Sequence, residues 1–257
     1  MLRVRQVQRS SDEQKPRKNF TAGTNTNFPI TMDVALLHII VRRLEAAYGR
    51  QTRYSTKSPM DQLIATILSQ RTNYADEMQA FNQMRERFPT WEEVASAPTA
   101  ELEALIQPSR FPELKAPRIQ EVIRRIIADH GDTELRFLND LTTEAAQAYL
   151  MSLPGVGYKT ATFVLLFSLR RPVLPVDTHV HRVSTRTGVL PFKTSQEKAH
   201  ILLLSMLPKD PDELLNFHKL LFHHGQQVCT FSYPRCHSCV LKDVCAYYNK
   251  GVPTFGK

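Results

Sequence analysis

The chain has 257 residues, 42% of them hydrophobic and 23% charged, with a formal net charge of +8 and four cysteines. That length buries a core without disulfide staples and suits one large domain or two smaller ones. No run of about eighteen apolar residues occurs, so no membrane span is expected, and no apolar signal segment opens the chain. The expectation is an intracellular protein, with an arginine-rich organelle-targeting start as the alternative. The basic balance suits a polyanion such as nucleic acid, and it serves solubility equally well.

Residues 1–27 are polar, and Arg3, Arg5, Arg9, Lys15, Arg17 and Lys18 face only Asp12 and Glu13 there. They read as a flexible basic arm. A first helix is expected over 32–48, with Thr31 as its cap. Its apolar stripe is Leu37, Ile40, Val41, Leu44 and Tyr48, and Gly49 ends it. A second, entered through Pro59, covers 60–69. Further helices are expected over 75–88, 91–97, 101–105, 117–128, 143–151, 158–167, 179–187, 195–206 and 211–225. Capping-box spacing joins Thr194 to Glu197 and Asp210 to Glu213. No period-two strand and no long repeat is found, so the fold class is all-α.

All four cysteines lie in one stretch, Cys229, Cys236, Cys239 and Cys245, with six, two and five residues between them. Four thiolates so close together can surround a single centre, either zinc or an iron–sulfur cluster. Two disulfides are the third possibility. Spacing alone leaves these open. Arg235, His237 and Lys242 sit among the cysteines, placed to offset thiolate charge or to meet phosphates.

Residues 153–161 read LPGVGYKTA. One helix ends, Gly155 and Gly157 let the chain turn sharply, and another begins. Free amides at the new helix start can hold a phosphate. Lys159 lies in its first turn, where the helix dipole disfavours the ammonium and favours a nucleophilic amine. A phosphate or an ionised Asp177 nearby would push the other way. Residues 176–182 read VDTHVHR, and Asp177 can both cap the following helix and face Lys159.

The LPGVGYKTA hairpin, the VDTH segment and the cysteine pattern, in this order, resemble the endonuclease III branch of the helix-hairpin-helix DNA glycosylases. The resemblance covers roughly 32–251. It implies two helical domains flanking a DNA cleft: a six-helix barrel over 53–171, and a second domain built from 32–51 plus 172–257. It implies that the four cysteines ligate a structural 4Fe–4S cluster. It assigns Lys159 as the amine that attacks C1′ and Asp177 as the catalytic carboxylate. Pro154, Gly155, Val156 and Gly157 become the phosphate-gripping hairpin. Lys115 and Arg118 fall where the family approaches the DNA backbone. Arg71 replaces a glutamine that fills the gap left by the extruded base, and Tyr74 stands where an acid is usual. Adenine-removing relatives usually lack the lysine and carry an extra domain, so Lys159 favours the lyase-competent branch.

The implied function is a bifunctional DNA glycosylase and abasic-site lyase, a monomer acting on oxidised pyrimidines in damaged double-stranded DNA. The alternatives are a variant specialised for abasic sites or mismatched bases, and a non-catalytic iron–sulfur DNA-binding protein.

Overall fold

The computed structural model of the chain describes residues 33–249. The expected basic arm and the Thr31 cap lie outside them. Helix α1, Val34–Tyr48, is capped by Asp33, whose carboxylate accepts from the Leu36 amide at 2.8 Å. Leu37, Ile40 and Leu44 form its buried stripe. Helix α2, Pro59–Leu68, begins behind a Ser58 cap and is buried along most of its length.

Helices α3, Tyr74–Arg87, α4, Trp91–Ser96, and α5, Thr99–Leu105, follow. A complete capping box forms at α4, where Thr90 and Glu93 exchange side-chain and backbone bonds. Helix α6, Pro112–His130, begins five residues before the expected start. Pro112 takes the first helical position, where a missing N–H costs nothing, and Pro117 lies inside the helix on its exposed face. Then come α7, Thr143–Ser152, α8, Tyr158–Phe167, and α9, Thr178–Thr187.

Helix α10, Gln196–Met206, is capped by Ser195 rather than Thr194. Thr194 is held in a turn through its amide to Pro191, and its carbonyl meets His181 Nε2 at 2.8 Å. Helix α11, Pro211–Gln227, uses Asp210 as its cap, but the Glu213 carboxylate goes to Arg50 instead of completing a box. Helix α12, Ala246–Asn249, is a single turn. No strand occurs among the described residues.

The all-α chain forms two helical domains with a helix-hairpin-helix. In one, α2 packs on α3 and α8, α6 on α4 and α5, and α7 on α8. In the other, α9 packs on α11, which also receives α1 from the far end of the sequence. Asn216 on α11 fixes that return, accepting from the Gln51 amide at 2.9 Å and donating to Glu45 at 2.7 Å. Arg43 on α1 forms a two-pronged ion pair with Asp243. No described helix is long and apolar enough to cross a membrane.

Candidate active site and cysteine cavity

The turn between α7 and α8 is closed by the Val156 amide, which donates to Leu153 O at 3.2 Å. Gly155 has φ +70°, and a β-carbon there would fall 2.3 Å from Arg118 Cδ. Arg118 therefore lies flat across the hairpin, in space that only glycine leaves. Helix α8 opens on Gly157, which has no side chain to cap it, so its leading amides keep their protons for an external acceptor. Pro154 is half-buried and Val156 is buried beneath the turn.

Lys159, in the first turn of α8, is half-buried, with Nζ 5.2 Å from the centroid of the Phe163 ring. Asp177 is buried at the N-terminus of α9. One of its oxygens accepts from the His179 and Val180 amides at 2.9 and 2.8 Å. Its other oxygen makes none of the cap bonds. The two residues share a neighbour, His218 on α11, whose ring stands edge-on to Phe163 and whose Nδ1 is 2.8 Å from Pro175 O. Burial pushes the His218 pKa down, with Asp177 pulling it up and Lys159 pushing it down further. Lys159 and Asp177 thus act on one buried ring.

Sequence reading missed Arg182. Its buried guanidinium donates to Cys229 O and Gly225 O, both at 2.8 Å, and meets His179 Nδ1 at 3.0 Å. It ties the start of the cysteine loop to the helix turn that Asp177 caps. The signal was available in VDTHVHR, where an arginine five residues after the cap faces the same core.

Lys115 departs from its expected place. It is 3% exposed, and Nζ donates to Leu68 O at 2.6 Å, Gln70 O at 2.9 Å and Thr72 Oγ1 at 2.9 Å. Burial pushes its pKa down to about 8, against the pull of Glu77. With its protons committed to the carbonyls that end α2, it supports the loop after α2 from below rather than presenting charge to DNA. That loop exposes Arg71 and Tyr74, and Gln70 reaches Gly155 O at 3.5 Å. Phe111, also exposed and also missed, leans against Arg71 from the start of α6.

Cys229, Cys236, Cys239 and Cys245 line one cavity together with Arg186, His224 and Leu241. Nitrogen groups point at the sulfurs: Arg186 Nη1 is 3.5 Å from Cys229 Sγ, and the Leu241 amide donates to Cys239 Sγ at 3.4 Å. His224 Nε2 lies 3.5 Å from Cys239 Sγ. Burial and mutual repulsion push the Cys239 thiol up to about 11. Among the described residues, no three His, Cys, Asp or Glu side chains converge closely enough for a single metal ion. Arg235 is exposed beside the second cysteine, its amide bonded to Val228 O.

A family model described as HhH-GPD superfamily base excision DNA repair protein matches residues 64–209. Over 192 residues the chain is 35% identical to endonuclease III of Thermotoga maritima, spanning 75% of this chain and 84% of that protein. It is 30% identical over 173 residues to the DNA glycosylase/AP lyase ROS1 of Arabidopsis thaliana, 62% of this chain and 12% of that one. Among solved structures, a trapped covalent intermediate of endonuclease III with DNA superposes with TM-score 0.74 at 26% identity. That alignment covers 86% of this chain and 99% of the other. Fold and site together define a base-excision DNA repair protein, and the chain belongs to the HhH-GPD superfamily. Within that superfamily it stands in the endonuclease III branch, as a DNA glycosylase with abasic-site lyase activity.

Proposed function

We propose that the chain, acting as a monomer on damaged double-stranded DNA, removes oxidised pyrimidines and cleaves the resulting abasic site through a Schiff base on Lys159. The observation that carries this reading is the pairing of Lys159 and Asp177 around His218, directly behind a hairpin with uncapped amides. The target base leaves the duplex because its sugar is unreachable inside the stack. Asp177, with an oxygen outside its cap bonds, stabilises positive charge on the sugar as the base departs. The Lys159 amine attacks C1′, and the imine permits β-elimination of the 3′ phosphate. The hairpin Pro154–Gly157 and Arg118 grip the backbone without reading sequence. Arg71 occupies the gap, and Arg235 adds a distant phosphate contact. The limits 53–171 for the barrel, and 32–51 plus 172–257 for the other domain, belong to the same proposal.

The cysteine cavity fits a 4Fe–4S cluster. Its four sulfurs line one space, and the nitrogen donors that point at them suit thiolates. Cys229, Cys236, Cys239 and Cys245 would hold the cluster, which supplies cross-linking of the C-terminal segment rather than chemistry at the sugar.

Borohydride trapping on duplexes with thymine glycol or an abasic site tests the assignment, because only a covalent imine is captured. Lys159→Gln should abolish trapping while keeping most of the DNA affinity. Trapping at the wild-type rate in that variant would place the nucleophile on another amine.

A further inference from the structure

His224, on α11, joins the first cysteine of the cavity to the third. Its carbonyl accepts from the Cys229 amide at 2.8 Å, and its ring Nε2 lies 3.5 Å from Cys239 Sγ. The residue is buried. Its second ring nitrogen, Nδ1, lies 2.8 Å from the hydroxyl of Tyr48, the last residue of α1. Tyr48 is half-buried, and the His223 ring stands edge-on to it at 4.6 Å. Three elements far apart in sequence thus meet in one chain of contacts: Tyr48 Oη, the His224 ring and Cys239 Sγ.

The chemistry of a metal-ligating thiolate fixes the direction of both bonds. A thiolate carries no proton and only accepts, so the proton belongs on Nε2. A neutral imidazole then offers Nδ1 as an acceptor, and the Tyr48 hydroxyl donates to it. A protonated ring presents the same Nε2–H to the sulfur, so the donation does not depend on the charge of the ring. Cys239 also accepts from the Leu241 amide at 3.4 Å. The buried rings of His200 and His218 each turn Nδ1 to a backbone carbonyl, whereas His224 turns one nitrogen to a sulfur and the other to a hydroxyl.

Building on the reading of the four cysteines as ligands of a 4Fe–4S cluster, we propose that the Tyr48–His224 pair tunes that cluster. His224 is a positioning residue whose Nε2–H bond to Cys239 Sγ raises the reduction potential, and Tyr48 fixes the donor. Reduction adds negative charge that spreads onto the sulfur ligands, and an N–H aimed at one of them stabilises the reduced state more than the oxidised one. Donation from Tyr48 polarises the ring and strengthens the bond to sulfur.

The test is voltammetry of the holoprotein, with iron per chain and the visible spectrum measured first, for wild type, Tyr48→Phe, His224→Gln and His224→Leu. His224→Leu should lower the midpoint potential. The ratio of reduced to oxidised cluster at a fixed potential should fall by up to about tenfold, or about 59 mV for one electron. His224→Gln keeps an N–H near the Nε2 position and should stay closer to wild type. A fall as large as that of His224→Leu would assign the effect to ring packing and overturn the proposal. Tyr48→Phe leaves the histidine in place and should lower the midpoint by less than His224→Leu does. A His224→Leu protein that loses its iron leaves the decision to Tyr48→Phe. A midpoint in Tyr48→Phe equal to or above that of wild type overturns the proposal, and so does an unchanged or raised midpoint in iron-loaded His224→Leu. Wild-type protein without iron is a separate failure, that of the cluster reading, and it removes this proposal as well.

Discussion

Arg71 carries its guanidinium 5.8 Å from the centroid of the Phe111 ring, and both residues adopt positive φ, 56° and 62°. Two non-glycine residues in left-handed conformation, on separate loops and in mutual contact, form a stiff projection beside the hairpin. Each such conformation costs about 1 kcal/mol or more. Arg71→Gly should therefore unfold at higher urea than wild type, by up to about 1 kcal/mol, while single-turnover base release slows. A variant that is less stable, or equally active, would contradict a strained, functional Arg71.

Lys115 and Arg118 sit one turn apart on α6 and should behave oppositely. Lys115→Met leaves the Leu68 and Gln70 carbonyls without their donor and should cost about 2–3 kcal/mol in urea unfolding. Its salt dependence of DNA binding should match that of wild type. Arg118→Ala should leave stability nearly unchanged and reduce the slope of log K against log salt by about one phosphate contact. Fluorescence anisotropy over a salt series distinguishes the two. Interchanged results would return Lys115 to the DNA surface.

Asp177→Asn keeps an oxygen that can accept from His179 and Val180, so the fold should survive. Removal of the negative charge should slow excision by about 10²-fold, the scale of one lost electrostatic contact to a transition state. Trapping on a preformed abasic site should fall less, because the base has already left. An equal loss on both substrates would assign Asp177 to Schiff-base formation instead of base departure.

The buried His200 ring gives the fold a defined acid limit. Its Nδ1 is 2.9 Å from Leu174 O, and burial pushes its pKa down to about 4 from the usual 6.5. Above pH 6.5 the ring is neutral in both folded and unfolded chains, and its full contribution is present. As pH falls, the unfolded chain takes a proton that the folded ring refuses, so stability drains between pH 6.5 and about 4. Linkage places the loss from pH 7 to 5 at about 2 kcal/mol. Urea unfolding at the two pH values should show this loss in wild type and a smaller one in His200→Gln. Equal losses would exclude His200 as the source.

Protein purified without chelator should be yellow-brown and contain about four irons and four sulfides per chain. Cys236→Ser should lose the colour and unfold more readily. Stoichiometric zinc without iron would defeat the cluster assignment.

Sequence reading was strongest where local chemistry decides the structure. Gly155, Gly157 and the α8 helix behind them form as their residue types require, and Asp177 caps α9. It failed at Pro117, read as a helix start, because the left-handed Phe111 and Pro112 that open α6 leave no periodic signal. It placed Lys115 at the surface because lysines are almost never fully buried unless paired. Its acceptors are carbonyls at the end of another helix, forty-five and forty-seven positions away. Arg182 escaped for a related reason: VDTHVHR shows which core it faces, but its acceptors, Gly225 O and Cys229 O, lie on other elements.

Gly225 makes no bond through a side chain, yet a β-carbon there would lie 2.8 Å from His179 Cβ and 3.2 Å from its Cα. Helices α9 and α11 cross at this point with no room for a methyl group. Alanine at position 225 would lever α9 away from α11 and tilt Asp177 relative to Lys159. Mutational drift at this glycine is therefore closed, although it lies outside both the hairpin and the lining of the cysteine cavity, and a chemically bland substitution there would present in an assay as an active-site lesion.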